Sequence, residues 1–235
     1  MSHFRVLPLG DFGGRLFYYA VKPLVKAIFF PICRREIKGK CNSLPKGPII
    51  VVSNHLSNFD IPIIGITLPR RAIFMGKEQL FRFPLGLLFR LLGGFAVRRG
   101  RVDREALNKA NDVLDKGLAL VMFPEGERSR SYQLKEPRPG TALLALRSDV
   151  CIIPIGITGS ERIGPEKTRI PFGLFHRPLV TIHIGEPFKL SFNGEKPSRA
   201  ELAHHTDLVM RRVAELLPAS YRGVYQEVAS GNRKS

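Results

Sequence analysis

Six short apolar runs punctuate the chain, with helical spacings between them. Pro48 to Ser53 (PIIVVS) reads as a strand buried on both faces, because the run is too short for a helix and does not alternate. Ala72 to Met75, Phe95 to Arg98, Leu118 to Phe123, Cys151 to Ile157 and Leu179 to Ile184 read the same way. Asp103 can cap a helix running to Lys116, with Leu107, Ala110, Val113 and Leu114 on one face and Gly117 as its stop. Ser198 and Glu201 stand at capping-box spacing before Leu202, Val209, Val213 and Leu216, and Pro218 ends that helix. Strands alternating with helices predict an α/β sandwich with a largely parallel or mixed central sheet flanked by helices. The globular domain is expected over residues 41–217, after an N-terminal helical segment over 1–40. A flexible tail is expected over 218–235, since Ser220 to Ser235 is polar and glycine-containing.

The N-terminal segment has a different pattern. Leu16 to Ile32 (LFYYAVKPLVKAIFFPI) is interrupted by Lys22, Pro23, Lys26 and Pro31, so it is not a transmembrane helix, which needs about 20 apolar residues with few charges. Arg15, Lys22 and Lys26 fall along one stripe of a helix, with Tyr18 and Tyr19 close to it and apolar residues filling the rest. That arc is wider than one docking face needs, which favours a helix lying in a membrane interface over one packed on the core with its polar edge in water. A second greasy segment, Leu80 to Leu92, is too short to span a bilayer and fits either lipid contact or the core. Met1 to Gly14 does not read as a cleavable signal, and the chain is expected to stay in the cytoplasm.

Charge sharpens this picture. The chain of 235 residues carries 37 Lys+Arg against 20 Asp+Glu, a formal net charge of +17. A chain this basic meets a polyanion: nucleic acid, an anionic lipid surface or a phosphorylated small molecule. No nucleic-acid recognition signature is present, and the arginines fall at strand ends rather than along one helix. Three widely spaced cysteines, Cys33, Cys41 and Cys151, form neither a disulfide framework nor a zinc motif.

Candidate chemistry lies after the strands. Ser53-Asn54-His55-Leu56-Ser57-Asn58-Phe59-Asp60 directly follows the first buried run. A turn or helix start can fold the Asp60 carboxylate back onto the His55 imidazole, fixing its tautomer and freeing the other nitrogen as a general base, although the pair alone fits a capping aspartate and an unrelated histidine equally well. Gly93 to Arg99 closes another strand with two guanidinium groups, Arg98 and Arg99. Phe123-Pro124-Glu125-Gly126-Glu127-Arg128-Ser129 closes a third, where Gly126 permits a tight turn and Arg128 offers a planar fork for phosphate. Ile153-Pro154-Ile155 puts a proline into an apolar strand. There is no G-x-S-x-G elbow and no cysteine near His55 in sequence, so no side chain stands out as carrier of a protein-bound acyl group.

In this order the four blocks resemble the glycerolipid acyltransferase family, which includes 1-acyl-glycerol-3-phosphate acyltransferases, over about Leu16 to Phe188. The resemblance implies acyl transfer from a thioester, acyl-coenzyme A or acyl-carrier protein, to the hydroxyl of a lysophospholipid such as lysophosphatidic acid, with no metal or other cofactor. It implies His55 as base and Asp60 as its orienting partner. Arg99, Glu125, Gly126 and Arg128 would hold the acceptor's phosphate and glycerol end, with Lys77 as a further phosphate contact. It further implies a peripheral or monotopic protein on an anionic membrane surface, at the cytoplasmic face. Two departures stand out: Glu127 replaces the family's usual threonine, and Arg98 precedes Arg99 where many members are acidic. The two substitutions can compensate each other, and Glu127 keeps another lysophospholipid or lipid-linked acceptor open. A non-catalytic lipid-binding protein and a basic nucleic-acid-binding protein remain the rivals from other classes.

Overall fold

The computed structural model describes residues 12–40, 44–77, 95–97, 104–163, 177–192, 194 and 197–229, with only the backbone described at a few of them, Lys77 included. Seven strands form one sheet: β1 (Arg34–Lys38), β2 (Ile49–Ser53), β3 (Ala72–Lys77), β4 (Phe95–Val97), β5 (Ala119–Met122), β6 (Cys151–Thr158) and β7 (Leu179–Ile184), in the order β1-β7-β6-β2-β5-β3-β4. All neighbours are parallel except β6 and β7. The sheet is therefore mixed, with a continuous parallel block from β6 to β4.

Strand β2 lies at the centre because nothing in IIVVS needs water. Its register pairs Ile49 with both Ala119 and Cys151, and all five of its residues are buried. Alternate side chains serve opposite faces. Ile49 and Val51 join Tyr18, Val25 and Phe29 of α1 (Phe12–Ile32) and Ile61, Ile63 and Ile64 of α2 (Asp60–Thr67). Ile50 and Val52 face α3 (Arg104–Asp115), α4 (Gly140–Ser148) and α5 (Arg199–Ala214) through Leu114, Leu144 and Val213. These are the two helical layers of the sandwich.

Helix α1 docks by one narrow stripe. Tyr18 Oη donates to the Gly65 carbonyl at 2.9 Å, and Lys22 Nζ donates to the carbonyl of Leu68, which ends α2. Lys22 thus serves the last turn of a neighbouring helix, where carbonyls lack partners. The opposite face of α1 leaves Leu16, Leu24, Ile28 and Phe30 open, 48–67% exposed. No helix among the described residues is long and apolar enough to cross a membrane.

Three elements differ from the sequence reading. Strand β1 was not anticipated: RREIK is almost entirely charged, which suits an edge strand that one neighbour pairs and water covers. Helix α4 follows Pro139 with no side-chain cap to mark its start. The stretch expected to fray from Ser220 instead forms 3-10 turns over Ala219–Tyr221 and Gly223–Ala229, because Tyr225 is 6% exposed in the core and the Tyr221 carbonyl accepts the Leu134 N–H at 2.9 Å. The capping box of Ser198 and Glu201 is present as its spacing predicts. The Leu80 to Leu92 segment and Asp103 lie outside the described residues.

Candidate active site

The parallel block places the carboxyl ends of β6, β2, β5, β3 and β4 along one rim, where open α/β sheets bind ligands. The loop from β2 to α2 supplies His55 and Asp60. Asp60 is the first residue of α2 and fully buried, and three N–H groups converge on its Oδ2: Leu56 N at 2.7 Å, Ser57 N at 2.8 Å and His55 Nδ1 at 2.8 Å. A carboxylate oxygen, which only accepts, fixes the proton of His55 on Nδ1 and leaves Nε2 with a lone pair. The ring stacks on Phe123 at 4.1 Å between centroids and 20° between planes.

His55 is also held through its backbone. Its N–H donates to Glu125 Oε1 at 3.1 Å, and its carbonyl accepts the Ser129 N–H at 2.8 Å. The turn Gly126–Arg128 is therefore pinned to the histidine at both ends. Just before it, Asn54 closes a pair of 2.8 Å bonds with the backbone N–H and carbonyl of Ile157, tying the loop to β6.

Glu125 is 4% exposed and accepts the Lys135 N–H through Oε2 at 3.2 Å. Its carboxylate faces the backbone of two loops, whereas the family resemblance implied a contact with the acceptor. Burial pushes its carboxyl up to about 7, against the pull of the His55 and Lys135 N–H groups. Gly126 adopts φ +69°, and a Cβ there would lie 2.8 Å from Arg138 Nε. The Glu127 carboxylate meets Lys135 Nζ at 3.1 Å. Arg128 is exposed at the tip. Lys77 ends β3 on the same rim, its side chain undescribed; Arg98 and Arg99 lie just past β4, outside the described residues.

Of the residues singled out from sequence, His55, Asp60, Glu125, Gly126 and Arg128 come together around one loop. Asn54, Phe123, Lys135 and Arg138 were not assigned roles. Asn54 and Phe123 sat inside blocks already noticed, while Arg138 stands in a proline-flanked strap (Lys135-Glu136-Pro137-Arg138-Pro139) without a motif of its own.

The family model Acyltransferase matches residues 34–158, more than half of the chain, and spans β1 to β6 with the whole rim between them. The chain belongs to this family. The chain is 26% identical over 219 residues to the chloroplastic 1-acyl-sn-glycerol-3-phosphate acyltransferase LPAT1 of Arabidopsis thaliana, covering 88% of this chain and 59% of that protein. It is 25% identical over 174 residues to the 1-acyl-sn-glycerol-3-phosphate acyltransferase of Escherichia coli strain K12, covering 72% of this chain and 69% of that protein. It is 31% identical over 130 residues to the lyso-ornithine lipid O-acyltransferase of Pseudomonas aeruginosa, 54% of this chain and 49% of that one. The crystal structure of the 1-acyl-sn-glycerophosphate (LPA) acyltransferase PlsC from Thermotoga maritima superposes with a TM-score of 0.62 at 25% identity, covering 85% of this chain and 79% of that chain. The mixed sheet flanked by helices is the fold the chain shares with that enzyme.

Proposed function

We propose that the protein transfers a fatty acyl group from a thioester, acyl-coenzyme A or acyl-carrier protein, to the free hydroxyl of lysophosphatidic acid, giving phosphatidic acid. The observation that carries this reading is the His55–Asp60 pair, held at 2.8 Å on the rim beside a turn that presents Arg128. His55 Nε2 takes the proton of the acceptor hydroxyl as its oxygen attacks the thioester carbonyl. The tetrahedral intermediate then expels the thiolate, which takes the same proton back from His55. Asp60 keeps the ring oriented and stabilises the transient imidazolium.

Direct transfer is supported by the two described cysteines. Cys33 is buried in the core, and Cys151 opens β6 opposite Ile49, about 13 Å of strand from the His55 end. Burial pushes both thiols up, away from the reactive thiolate. The exposed apolar face of α1 and the +17 charge support a peripheral or monotopic position on an anionic membrane, at its cytoplasmic face.

Two observations favour a second acceptor class: Glu127 adds negative charge beside Arg128, and the chain is 31% identical to the lyso-ornithine lipid enzyme over 54% of its length. The test offers labelled acyl-coenzyme A or acyl-carrier protein with lysophosphatidic acid or lyso-ornithine lipid, followed by lipid separation. Phosphatidic acid is the expected product, and His55→Ala is expected to abolish it while the fold is retained. Turnover of His55→Ala within tenfold of the native chain rejects His55 as base.

A further inference from the structure

We infer that Arg138 is a specificity-determining residue that holds the acceptor's phosphate together with Arg128, and that Lys135 offsets Glu127 so that this site stays cationic. The inference rests on the proposed acyl transfer to lysophosphatidic acid and names the group that selects its headgroup.

Position comes first. The strap from Leu134 to Pro139 runs back along the carboxyl end of β5: Lys135 N–H donates to Glu125 Oε2 at 3.2 Å, and Arg138 N–H donates to the Pro124 carbonyl at 2.8 Å. These two bonds bring Arg138 over the Gly126 turn. A Cβ on Gly126 would lie 2.8, 3.0 and 3.2 Å from Arg138 Nε, Cδ and Cζ, so the guanidinium end lies directly against that turn. The same turn is fastened at Glu125 and Ser129 to the backbone of His55. Arg138 thus lies against Gly126, two residues before Arg128 on the turn that is tied to the His55 backbone.

Charge comes second. Glu127 directly precedes Arg128 and would repel an anion, but its carboxylate meets Lys135 Nζ at 3.1 Å. Arg128 and Arg138 are exposed, and among the described residues neither guanidinium has an ion-pair partner. Two forks free of carboxylate match the geometry of a phosphate monoester, which accepts paired N–H donors. The N-terminus of α4 starts two residues after Arg138 with no side-chain cap, adding its positive pole nearby. An uncharged headgroup gains nothing from this arrangement.

The test measures steady-state acylation by the full chain in mixed micelles, with lysophosphatidic acid or 1-monoacylglycerol as acceptor. Arg138→Gln is expected to raise KM for lysophosphatidic acid about tenfold or more with kcat nearly unchanged, because a charge-assisted contact made in both ground and transition states is lost. Its kinetics with monoacylglycerol should not move, and Arg138→Lys should recover part of the loss. Lys135→Met should raise the same KM, and Glu127→Thr added to it should restore the native value. Native KM in Arg138→Gln overturns the inference, as does a Lys135→Met loss that Glu127→Thr leaves unrepaired. A native chain that does not acylate lysophosphatidic acid overturns the proposed function instead. A readout independent of turnover then decides the site: glycerol 3-phosphate, but not glycerol, should raise the thermal midpoint of the native chain and not of Arg138→Gln. No shift in the native chain overturns the phosphate site.

Discussion

Glu125 Oε1 accepts the backbone N–H of His55 at 3.1 Å while Oε2 accepts that of Lys135 at 3.2 Å, so one buried carboxylate joins the histidine loop to the arginine strap. That makes Glu125 a positioning residue. Glu125→Gln keeps the shape but turns an NH₂ toward one of two N–H donors. Leaving such a buried group unsatisfied costs about 1–3 kcal/mol. If that cost displaces His55, kcat falls roughly ten- to hundredfold with a smaller change in acceptor KM. Steady-state kinetics decide it: a loss confined to KM would move Glu125 into contact with the acceptor.

The same carboxyl gives a pH dependence. Burial raises it to about 7 in the folded chain, whereas an unfolded glutamate titrates near ~4.3. Between those values the folded state holds a proton that the unfolded state has released. Its contribution to stability is therefore full below ~4.3, declines as pH rises and is gone above 7. Urea unfolding of the native chain and Glu125→Gln at several pH values reads this directly. The stability difference, native minus variant, is expected to fall from pH 4.5 to 7.5; a constant difference contradicts the raised carboxyl.

How far the sequence reaches is visible in these residues. The buried runs located six strands, and block order located His55 and Asp60, because both depend on local spacing. Strand β1 was illegible because its charged residues carry no burial signal, only a partner in β7, 145 residues away at Arg34 and Leu179. Arg138 was illegible for a related reason. Its place over Gly126 follows from its own N–H bonded to the Pro124 carbonyl and the Lys135 N–H bonded to the Glu125 carboxylate, and spacing alone says nothing about where a proline-flanked strap returns. Glu125 was noticed, but its direction was not, since a turn residue can face ligand or backbone with the same neighbours.

Asn54 tests the loop from its other side. Its amide satisfies both the N–H and the carbonyl of Ile157 at 2.8 Å, with 2% of the residue exposed. Asn54→Ala strips partners from a buried strand end, at about 1–3 kcal/mol for each group left unsatisfied. Denaturant unfolding should show a loss of that order, accompanied by lower kcat. Asn54→Asp should fail to rescue, because a carboxylate cannot donate to the Ile157 carbonyl. Native stability in the alanine variant would mean that water replaces the amide.

Gly126 links backbone strain to the arginine above it. An alanine there must hold φ +69° at a cost of roughly 1–2 kcal/mol, and its Cβ drives Arg138 off the turn. Gly126→Ala should therefore raise acceptor KM as well as lower stability. Combined with Arg138→Gln, it should add little further KM loss, since the contact it disrupts is already gone. Fully multiplicative KM effects in the double variant would show that the two residues act separately.

The outer face of α1 decides where the reaction can take place. In the proposed reaction a two-tailed product leaves a bilayer at about 0.8 kcal/mol for each CH₂ brought into water, which calls for a site open to the membrane surface. Leu16 and Leu24 are 64% and 61% exposed, whereas Val25 is 1% exposed in the core. Leu16→Glu with Leu24→Glu should leave the thermal midpoint unchanged and remove the contacts that enter lipid, each worth roughly 1.5–3 kcal/mol. Sedimentation with vesicles of anionic phospholipid should then show binding lowered about a hundredfold or more. The native chain should pellet with these vesicles and be partly released by high salt, because each basic group near the surface contributes about 1 kcal/mol that salt screens. Val25→Glu should lower stability instead. Equal vesicle binding by the native chain and the double variant would remove α1 as the membrane contact.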